Sequence, residues 1–286
     1  MVYAAPAKIN LYLKVLRRMD DGYHEIETLF ERISLSDHIS IEPSQDETTI
    51  TCDNPGVPTD EKSLMGRIVN IFKQRLGNNH NWHINLEKNI PIGAGLGGGS
   101  SDAATLLRGL NETTGFPFKK EELMQFARGL GADIPFFLSD ASFAIGKGRG
   151  DIIEEVDSPL KISHILITPP FEISTKEVYA KSSDFGLTKA NGVDRMVTAF
   201  LKENDGESLV KNLRNDLQAI VLRDFPELEK IFSSLEREGA KGSLLSGSGS
   251  TIFGIFDPKH IKEVKEKLKK TFPQDKSWRI FVAETC

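Results

Sequence analysis

The stretch "PIGAGLGGGSSDAA", residues 91 to 104, places five glycines directly before an alanine-rich helical pattern. Glycine tolerates positive φ angles and lets another molecule approach the backbone closely. Successive exposed N–H groups in such a loop form a concave nest for an anion, and a helix N-terminus adds about half a positive charge. Five glycines cost more chain entropy than a plain strand-to-helix turn with a serine cap requires, so we expect a phosphate site here. Ser100 and Ser101 are expected to cap the helix and to face the phosphate.

Two common classes of phosphate loop fit this stretch poorly. It contains no G-x-x-x-x-G-K-[ST], which excludes a P-loop. "GAGLGG" satisfies G-x-G-x-x-G, but a dinucleotide fold needs a continuously apolar strand running into the first glycine and an acidic residue about 20 positions later. Here the preceding "WHINLEK" alternates, with Trp82, Ile84 and Leu86 on its buried side, and "NIP" intervenes. An oxidoreductase that transfers hydride on a dinucleotide is therefore disfavoured.

Composition narrows the class of protein further. Apolar residues make up 39% and charged residues 27% of the 286 residues, as in soluble globular proteins, and no apolar run reaches the length of a membrane span. Two cysteines argue against a disulfide framework and favour a reducing cytosol, and no signal or transit segment is recognisable. A net charge of −5 argues against nucleic-acid binding. The six histidines lack metal-ligand spacing.

The first half of the chain mixes strands and helices. "AKINLYLKV" predicts a half-buried strand whose polar face carries Lys8, Asn10, Tyr12 and Lys14. Further strands follow in "DDGYHEIETLFERISLSDHISIEP" and "TTITC". A helix is predicted from residue 62 to 76, with Asp60 as its cap and Gly77 as its stop. The glycine loop leads into a helix over about 101–110, and "KKEELMQFARGLG" predicts another helix.

The second half has the order of a ferredoxin-like unit: strand, helix, paired strands, helix, strand. "SHILITPP" is the first strand, and helices follow to about Gly206. Two helical pieces, broken before Pro226, precede a pair of strands around a second glycine turn in "AKGSLLSGSGSTIFGIFD". "PKHIKEVKEKLKKTF" is an amphipathic helix and "SWRIFVAE" the last strand. We place a domain boundary near residue 157, giving domains 1–157 and 158–286.

Three segments together resemble the GHMP kinases, small-molecule kinases named for galactose, homoserine, mevalonate and phosphomevalonate. "PAKINLYLKVL" resembles their first motif, the glycine loop their second, and "LLSGSGSTIFGIF", residues 244 to 256, their third. The resemblance implies an α+β fold of two domains, an N-terminal domain like ribosomal protein S5 and a ferredoxin-like C-terminal domain, with the active site in the cleft between them. "DGYHEIETLF" and "GADIPFFL" are similar to one family within this group. Its members use ATP to phosphorylate the 2-hydroxyl of a cytidine diphosphate-linked methylerythritol in the non-mevalonate isoprenoid pathway.

The resemblance also implies roles for individual residues. Lys8 and Asp133 resemble the catalytic pair: a carboxylate that accepts the proton of the attacking hydroxyl and an ammonium that offsets charge on the phosphoryl group. Without the resemblance, Lys8 would be an ordinary solvated lysine and Asp133 the start of a short helix at Pro135. Asn10 lies two residues after Lys8 on the same strand face and is assigned to substrate binding.

The remaining site residues follow from the same match. The ATP-binding set is Pro91, Gly93, Ala94, Gly95, Leu96, Gly97, Gly98, Gly99, Ser100, Ser101 and Lys147, with Mg²⁺ expected alongside ATP and no dedicated protein site for the metal. Tyr23 and His24 are expected to contact the cytosine, and Tyr179, with Thr175 nearby, to stack on its opposite face. The alternative without a binding role is that Tyr23 and Tyr179 are partly exposed core residues. Gly247 and Ser248, in the third motif, are expected to orient the acceptor's diphosphate, while Arg149 is equally well a surface charge.

Other functions remain open from the sequence. One is a GHMP kinase acting on homoserine or mevalonate, and another is a nucleotide-binding module without turnover. A module needs neither Lys8 nor Asp133, so their presence favours an enzyme. We expect a bacterial cytosolic enzyme that is a monomer or weak homodimer, with no nucleic-acid or membrane partner.

Overall fold

A computed structural model describes residues 1–77, 79–182 and 203–286. The helices predicted as far as Gly206 fall largely on residues outside this part of the chain. The described chain forms two compact units. The first is made of Met1–Ala7, Ser36–Ile90 and Gly97–Asp140, and the second of Lys8–Leu35, Pro91–Leu96 and Ala141–Cys286. The domain boundary near residue 157 stays a prediction.

Four strands contribute to the first unit. Their bounds are β1 (Val2–Arg18), β2 (His24–Ser44), β3 (Thr49–Cys52) and β4 (Asn81–Glu87), and both β1 and β2 continue into the second unit. β4 pairs antiparallel with the end of β2 and parallel with β3. The helices of this unit are α1 (Leu64–Leu76), α2 (Gly98–Thr113), α3 (Lys120–Leu130) and α4 (Ile134–Leu138). The predicted alternation of β4 is confirmed, with Trp82, Ile84 and Leu86 buried.

Helix α1 is confirmed, but its predicted cap is wrong. The capping residue is Ser63, whose hydroxyl accepts a hydrogen bond from the amide of Gly66 at 3.0 Å. Asp60 lies three residues earlier, where its carboxylate accepts the amides of Lys62 and Ser63 and shapes the entry turn. The end of the helix is as predicted, since Gly77 has a φ of 96° and its N–H bonds back into the last turn.

The second unit contains the rest of β1 and β2 and the C-terminal half of the chain. Its further elements are β5 (Phe143–Lys147), β6 (Ile152–Val156), β7 (Ser163–Thr168), α5 (Thr175–Ser182), α6 (Gly206–Lys211), β8 (Arg214–Asn215), α7 (Gln218–Asp224), α8 (Glu229–Arg237), β9 (Gly242–Leu245), β10 (Ile252–Phe256), α9 (Ile261–Thr271) and β11 (Arg279–Glu284). A 3-10 turn, Pro226–Leu228, separates α7 from α8, as the break before this proline predicts. β5 pairs antiparallel with β2 and with β6, and β8 pairs parallel with β1.

The ferredoxin-like prediction is confirmed by an antiparallel sheet of order β11-β7-β10-β9. Its apolar face packs on helices, and a core forms that includes Ile165, Ile252, Ile220, Leu235 and Leu268, all essentially without exposure. Within the described ranges, no helix is both long enough and apolar enough to cross a membrane.

Strand β1 differs from its prediction. A half-buried strand would leave its polar face in water, yet Lys8, Asn10, Tyr12 and Lys14 are all buried, at 7% exposure or less. The reason is that this face is satisfied internally, by bonds such as those linking Lys8, Asn10 and Thr28. A lysine on this strand face is therefore not a solvated surface charge.

Candidate functional site

The glycine loop adopts the backbone conformation that its composition predicts. Gly93, Gly95 and Gly97 have φ angles of 63°, 77° and 70°, in the left-handed region that favours glycine. The two residues between them, Ala94 and Leu96, are buried at 2% and 1% exposure. The loop therefore alternates left-handed glycines with side chains that anchor it to the protein.

The carbonyl groups of residues 94–96 are held by hydrogen bonds from other residues of the second unit, to which this part of the loop belongs. The bonds run from the Thr251 amide to the Ala94 oxygen (3.2 Å), from Ser246 Oγ to the Gly95 oxygen (2.9 Å) and from the Lys8 amide to the Leu96 oxygen (3.0 Å). The packing is also close, because a Cβ on Gly95 would lie 2.1 Å from the Ser246 carbonyl oxygen. With its carbonyls held in this way, the loop can offer its N–H groups to an anion.

Helix α2 starts earlier than predicted, and its serines do not cap it. Gly97 occupies the cap position in the left-handed conformation without any side-chain bond, and the helix begins at Gly98. Ser100 and Ser101 therefore lie inside the first turn, where the amide of Ser101 already donates to the Gly97 carbonyl at 2.9 Å and the amides before it lack an intrahelical acceptor. The Ser101 hydroxyl is buried and has no hydrogen-bond partner among the described residues.

The first two helical glycines differ in the space around them, which gives a matched pair for measuring stability. A Cβ on Gly98 would lie 3.0 Å from Ile90 Cγ2 and 3.2 Å from Lys88 Nζ, whereas a Cβ on Gly99 would meet nothing within 4 Å. Gly99→Ala should stabilise the protein by about 0.4–1 kcal/mol, because alanine loses less chain entropy in a helix. Gly98→Ala should instead destabilise it by about 1–2 kcal/mol through overpacking.

Urea unfolding of both variants checks this prediction through the shift in transition midpoint at constant slope. Equal midpoints for Gly98→Ala and Gly99→Ala would contradict it.

A buried charge cluster lies behind the first turn of α2 and was not anticipated from the sequence. Lys88 Nζ contacts Asp37 Oδ2, and it lies 2.7 Å from Asp102 Oδ2. The three side chains are 5% exposed or less. Asp37 Oδ1 also accepts the amides of Asn89 and Ile90, at 2.6 and 2.8 Å. In contrast, Asp102 Oδ1 is buried and has no partner among the described residues.

The cluster shifts the protonation of its members. Burial raises the pKa of Asp102 to about 7, and Asp37 acts in the same direction while Lys88 opposes it. Burial lowers the pKa of Lys88, but Asp102 and Asp37 outweigh it, so the pKa is raised overall. Lys88 is therefore charged at neutral pH, while Asp102 titrates near neutrality.

The raised pKa of Asp102 predicts a pH-dependent stability difference. The unfolded carboxyl titrates near ~3.9, so between about pH 4 and 7 the folded state binds the extra proton and loses stability as pH rises. Asp102→Asn removes this loss. Its unfolding free energy should exceed that of the unmodified chain by on the order of 2–4 kcal/mol at pH 8 and by much less at pH 4. Urea titrations at a series of pH values measure the difference, and a difference that does not change with pH would contradict it.

The structure brings together Lys8 and Asn10, as the strand pattern predicts. Lys8 Nζ donates to Asn10 Oδ1 at 2.7 Å, and Asn10 Nδ2 donates to Thr28 Oγ1 at 2.7 Å. The ammonium also lies 5.5 Å from the centre of the Phe30 ring. A Cβ on Gly247 would lie 3.4 Å from Lys8 Nζ, so the third motif lies beside the catalytic candidate.

Asp133 lies in the first unit, at the N-terminus of α4. The helix begins at Ile134 rather than at the predicted Pro135, and the Asp133 side chain makes no capping bond to it. Lys8 belongs to the second unit, so the pairing of Lys8 with Asp133 stays a prediction. The carboxylate is half-buried and is not used to cap the helix.

The third motif is a second glycine turn with an internal anchor. Gly247 and Gly249 have φ angles of 57° and 87°. Asn215 holds the turn, since its side-chain amide donates to the carbonyls of Leu245 and Gly247 at 2.8 and 2.7 Å. Two predicted substrate residues meet here, because Thr175 Oγ1 lies 2.7 Å from Ser248 Oγ.

Two of the aromatic residues assigned to the cytosine lie close together. The rings of His24 and Tyr179 are 5.4 Å apart and tilted by 36°. Tyr23 is 58% exposed, which excludes a core role for its ring. The Arg149 guanidinium lies 5.2 Å from the centre of the Tyr23 ring. Burial and the neighbouring Arg18 lower the pKa of His24, which therefore stays neutral at pH 7.

Two further observations concern charge and metal at the site. Lys147, assigned to ATP, ends β5 and forms an exposed ion pair with Glu154 at 3.4 Å. Among the residues that the structure describes, no group of three or more His, Cys, Asp and Glu side chains is arranged to hold a metal ion.

Sequence reasoning missed three residues that organise the site: Thr28, Asn215 and Lys88. Thr28 lies on the strand next to the one that carries Asn10, and Asn215 lies on a different sheet from the turn it holds. Lys88 looks like a surface charge at the end of a strand. Knowledge that both faces of β1 are buried would have suggested that Asn10 needs a partner such as Thr28. A single sequence carries no such signal.

Comparison with known proteins agrees with this geometry. Residues 63–141 match the GHMP kinases N terminal domain, and residues 196–274 match the GHMP kinases C terminal domain. A 4-diphosphocytidyl-2-C-methyl-D-erythritol kinase of Desulfotalea psychrophila is 42% identical over 88% of this chain and 84% of its own length. A kinase of the same name from Syntrophotalea carbinolica is 39% identical over 99% and 98%.

Solved structures show the same likeness in three dimensions. A crystal structure of 4-(cytidine 5'-diphospho)-2C-methyl-D-erythritol kinase superposes with a TM-score of 0.82 and 32% identity, covering 99% of this chain and 98% of the other. The homoserine kinase of Cytophaga hutchinsonii shares the fold, with a TM-score of 0.71 at 20% identity over 100% and 93% of the two chains. The fold predicted from the motifs is thereby confirmed. The chain belongs to the GHMP kinases and, among them, to the 4-diphosphocytidyl-2-C-methyl-D-erythritol kinase family.

Proposed function

We propose that this chain is an ATP-dependent kinase that phosphorylates the 2-hydroxyl of 4-diphosphocytidyl-2-C-methyl-D-erythritol, releasing ADP and the 2-phosphate. The observation that carries the proposal is identity of 39% over 99% of the chain to a relative bearing that kinase name. The reaction belongs to the non-mevalonate route to isoprenoids.

In the chemical step, the substrate hydroxyl oxygen forms a bond to the γ-phosphorus while the bond from that phosphorus to the β,γ-bridging oxygen breaks. We assign Asp133 to accept the hydroxyl proton and Lys8 to offset negative charge on the moving phosphoryl group. The buried bond from Lys8 to Asn10 supports this role, since it fixes the direction of the ammonium before substrate arrives.

The two glycine turns hold the two polyphosphates in this proposal. Residues 91–101 bind ATP through main-chain amides and the helix N-terminus, and Lys147 adds a positive charge. Gly247 and Ser248 orient the diphosphate of the acceptor. Amide dipoles explain how a chain of net charge −5 binds two polyanions.

Recognition of the cytidine end is assigned to Tyr23, His24 and Tyr179. Aromatic faces give affinity without discrimination between bases, so hydrogen bonds at His24 must select cytosine. The buried Nε2 of His24, which has no hydrogen-bond partner in the described part of the chain, supports this assignment, because a buried polar atom without a partner is costly unless a ligand satisfies it.

Magnesium enters with ATP as part of the substrate, since phosphoryl transfer uses the ion to neutralise the phosphates. The enzyme works in the cytosol as a monomer or weak homodimer, without nucleic-acid or membrane partners.

A coupled assay for ADP tests the function directly. Purified protein with MgATP should release ADP when the cytidine diphosphate alcohol is added and not when homoserine or mevalonate is added. If only homoserine or mevalonate stimulated the release of ADP, the chain would have the activity of another GHMP kinase instead. Binding of ATP without stimulation by any acceptor would favour a nucleotide-binding module.

A further inference from the structure

The buried cluster of Asp37, Lys88 and Asp102 touches the chain on both sides of the glycine loop. Asp37 accepts the amides of Asn89 and Ile90, which directly precede the loop. Lys88 connects this anchor to Asp102, in the helix that directly follows the loop. Both ends of residues 91–97 are therefore tied to one carboxylate of β2.

The contact between Lys88 and Asp102 also involves the first turn of α2, where an anion would bind. Gly98 and Asp102 are four residues apart and share one face of the helix. Lys88 Nζ contacts Asp102 and lies 3.2 Å from where a Cβ on Gly98 would be. The ammonium is thus packed against Gly98, the first residue of the helix, whose N–H lacks an intrahelical acceptor.

The composition of the cluster is unfavourable for stability alone. When Asp102 is ionised, two carboxylates and one ammonium leave an excess negative charge in a site where each side chain is 5% exposed or less. Asp102 Oδ1 has no partner among the described residues. A buried carboxylate with an unsatisfied oxygen costs stability, and its removal leaves no unpaired charge here because Lys88 still contacts Asp37.

We propose that Asp102 is a positioning residue for nucleotide binding: through Lys88 and Asp37 it fixes the first turn of α2 relative to the entrance of the glycine loop. It acts through the main chain and does not touch the reacting atoms. The inference rests on the proposed function only in taking ATP phosphates as the anion at this loop.

The test uses Asp102→Ala in the full-length protein. This change removes the tie to α2 and leaves Lys88 and Asp37 as a balanced ion pair. We expect the KM for MgATP, and the dissociation constant of an unreactive imido analogue of MgATP, to rise about tenfold, since small displacements of a binding element have effects of this size. The KM for the cytidine substrate should stay within about twofold, and the urea midpoint should be equal or higher.

Two further variants separate positioning from packing. Asp102→Asn keeps an oxygen that accepts from Lys88, so it should restore analogue affinity to within about threefold of the unmodified chain. Thr105→Ala truncates another buried side chain of α2, at 9% exposure, and should leave the KM for MgATP unchanged.

Unchanged analogue affinity in Asp102→Ala would overturn the proposal, and so would an affinity loss that accompanies a lower urea midpoint or a failure to fold. Calorimetric titration of the analogue needs no acceptor substrate. If the unmodified chain binds the analogue but never phosphorylates the cytidine diphosphate alcohol, the proposed function fails while the titrations still decide the role of Asp102.

Discussion

Replacement of Asp133 by asparagine should lower kcat by at least ~100-fold while leaving the dissociation constant of MgATP nearly unchanged. An amide is close in shape to a carboxylate but does not accept the proton of the attacking hydroxyl. The change should leave the start of α4 as it is, because the Asp133 side chain makes no capping bond to that helix. The measurement is single-turnover formation of ADP with saturating acceptor, together with direct titration of nucleotide.

A matched control is available at the other end of the same helix. Asp140 is exposed and pairs with Arg108 at 3.1 Å and with Lys120 at 3.4 Å. Exposed pairs of this kind contribute little, so Asp140→Asn should keep kcat within about twofold. If Asp133→Asn retained a kcat close to that of Asp140→Asn, Asp133 would be removed from the catalytic role.

The sequence predicts the fold well where the hydrophobic periodicity agrees with the glycines and prolines that end helices and strands. The alternation in β4, the stop of α1 at Gly77 and the break before Pro226 all appear in the structure. These signals are local, since they depend on a few neighbouring residues and on glycine and proline conformations. The ferredoxin-like order of the second unit follows from the same local elements in sequence.

The wrong predictions concern features that depend on contacts between residues distant in the sequence or on packing. Asp60 and Ser63 are both good capping residues, and only the packed turn around Gly66 makes Ser63 the cap. The serines of the loop could cap a helix starting at residue 101, but left-handed Gly97 starts it three residues sooner. The polar face of β1 looks solvated until Thr28, eighteen residues away from Asn10, supplies a partner.

The candidate site shows the same division. The motifs identify the loops and the catalytic candidates. The spacing of the glycines indicates which loops can bind a ligand through their main-chain groups. The residues that hold those loops in place, such as Asn215 and Lys88, have no motif of their own. Their roles are visible only as hydrogen bonds to main-chain groups and buried charges.

The second large effect is expected from Lys8→Met, which keeps the length of the side chain and removes its charge. Lys8 is 5% exposed, and its ammonium is directed by Asn10 and packed over Phe30. Loss of a preoriented cation beside the moving phosphoryl group should lower kcat by about 10²–10³-fold. The unfolding free energy should fall by only about 1–2 kcal/mol, because Asn10 loses one donor while the packing stays.

Lys14→Met is the control for this change. Lys14 lies on the same face of β1 and is 4% exposed, so its replacement also removes a buried ammonium from the strand. We expect Lys14→Met to lower the urea midpoint by a similar amount and to leave kcat per folded molecule unchanged. Since the two lysines lie on the same face of β1 and are buried to a similar extent, a difference between their kcat values would point to a role of Lys8 in phosphoryl transfer. Equal kcat values for the two variants would exclude Lys8 from the chemical step.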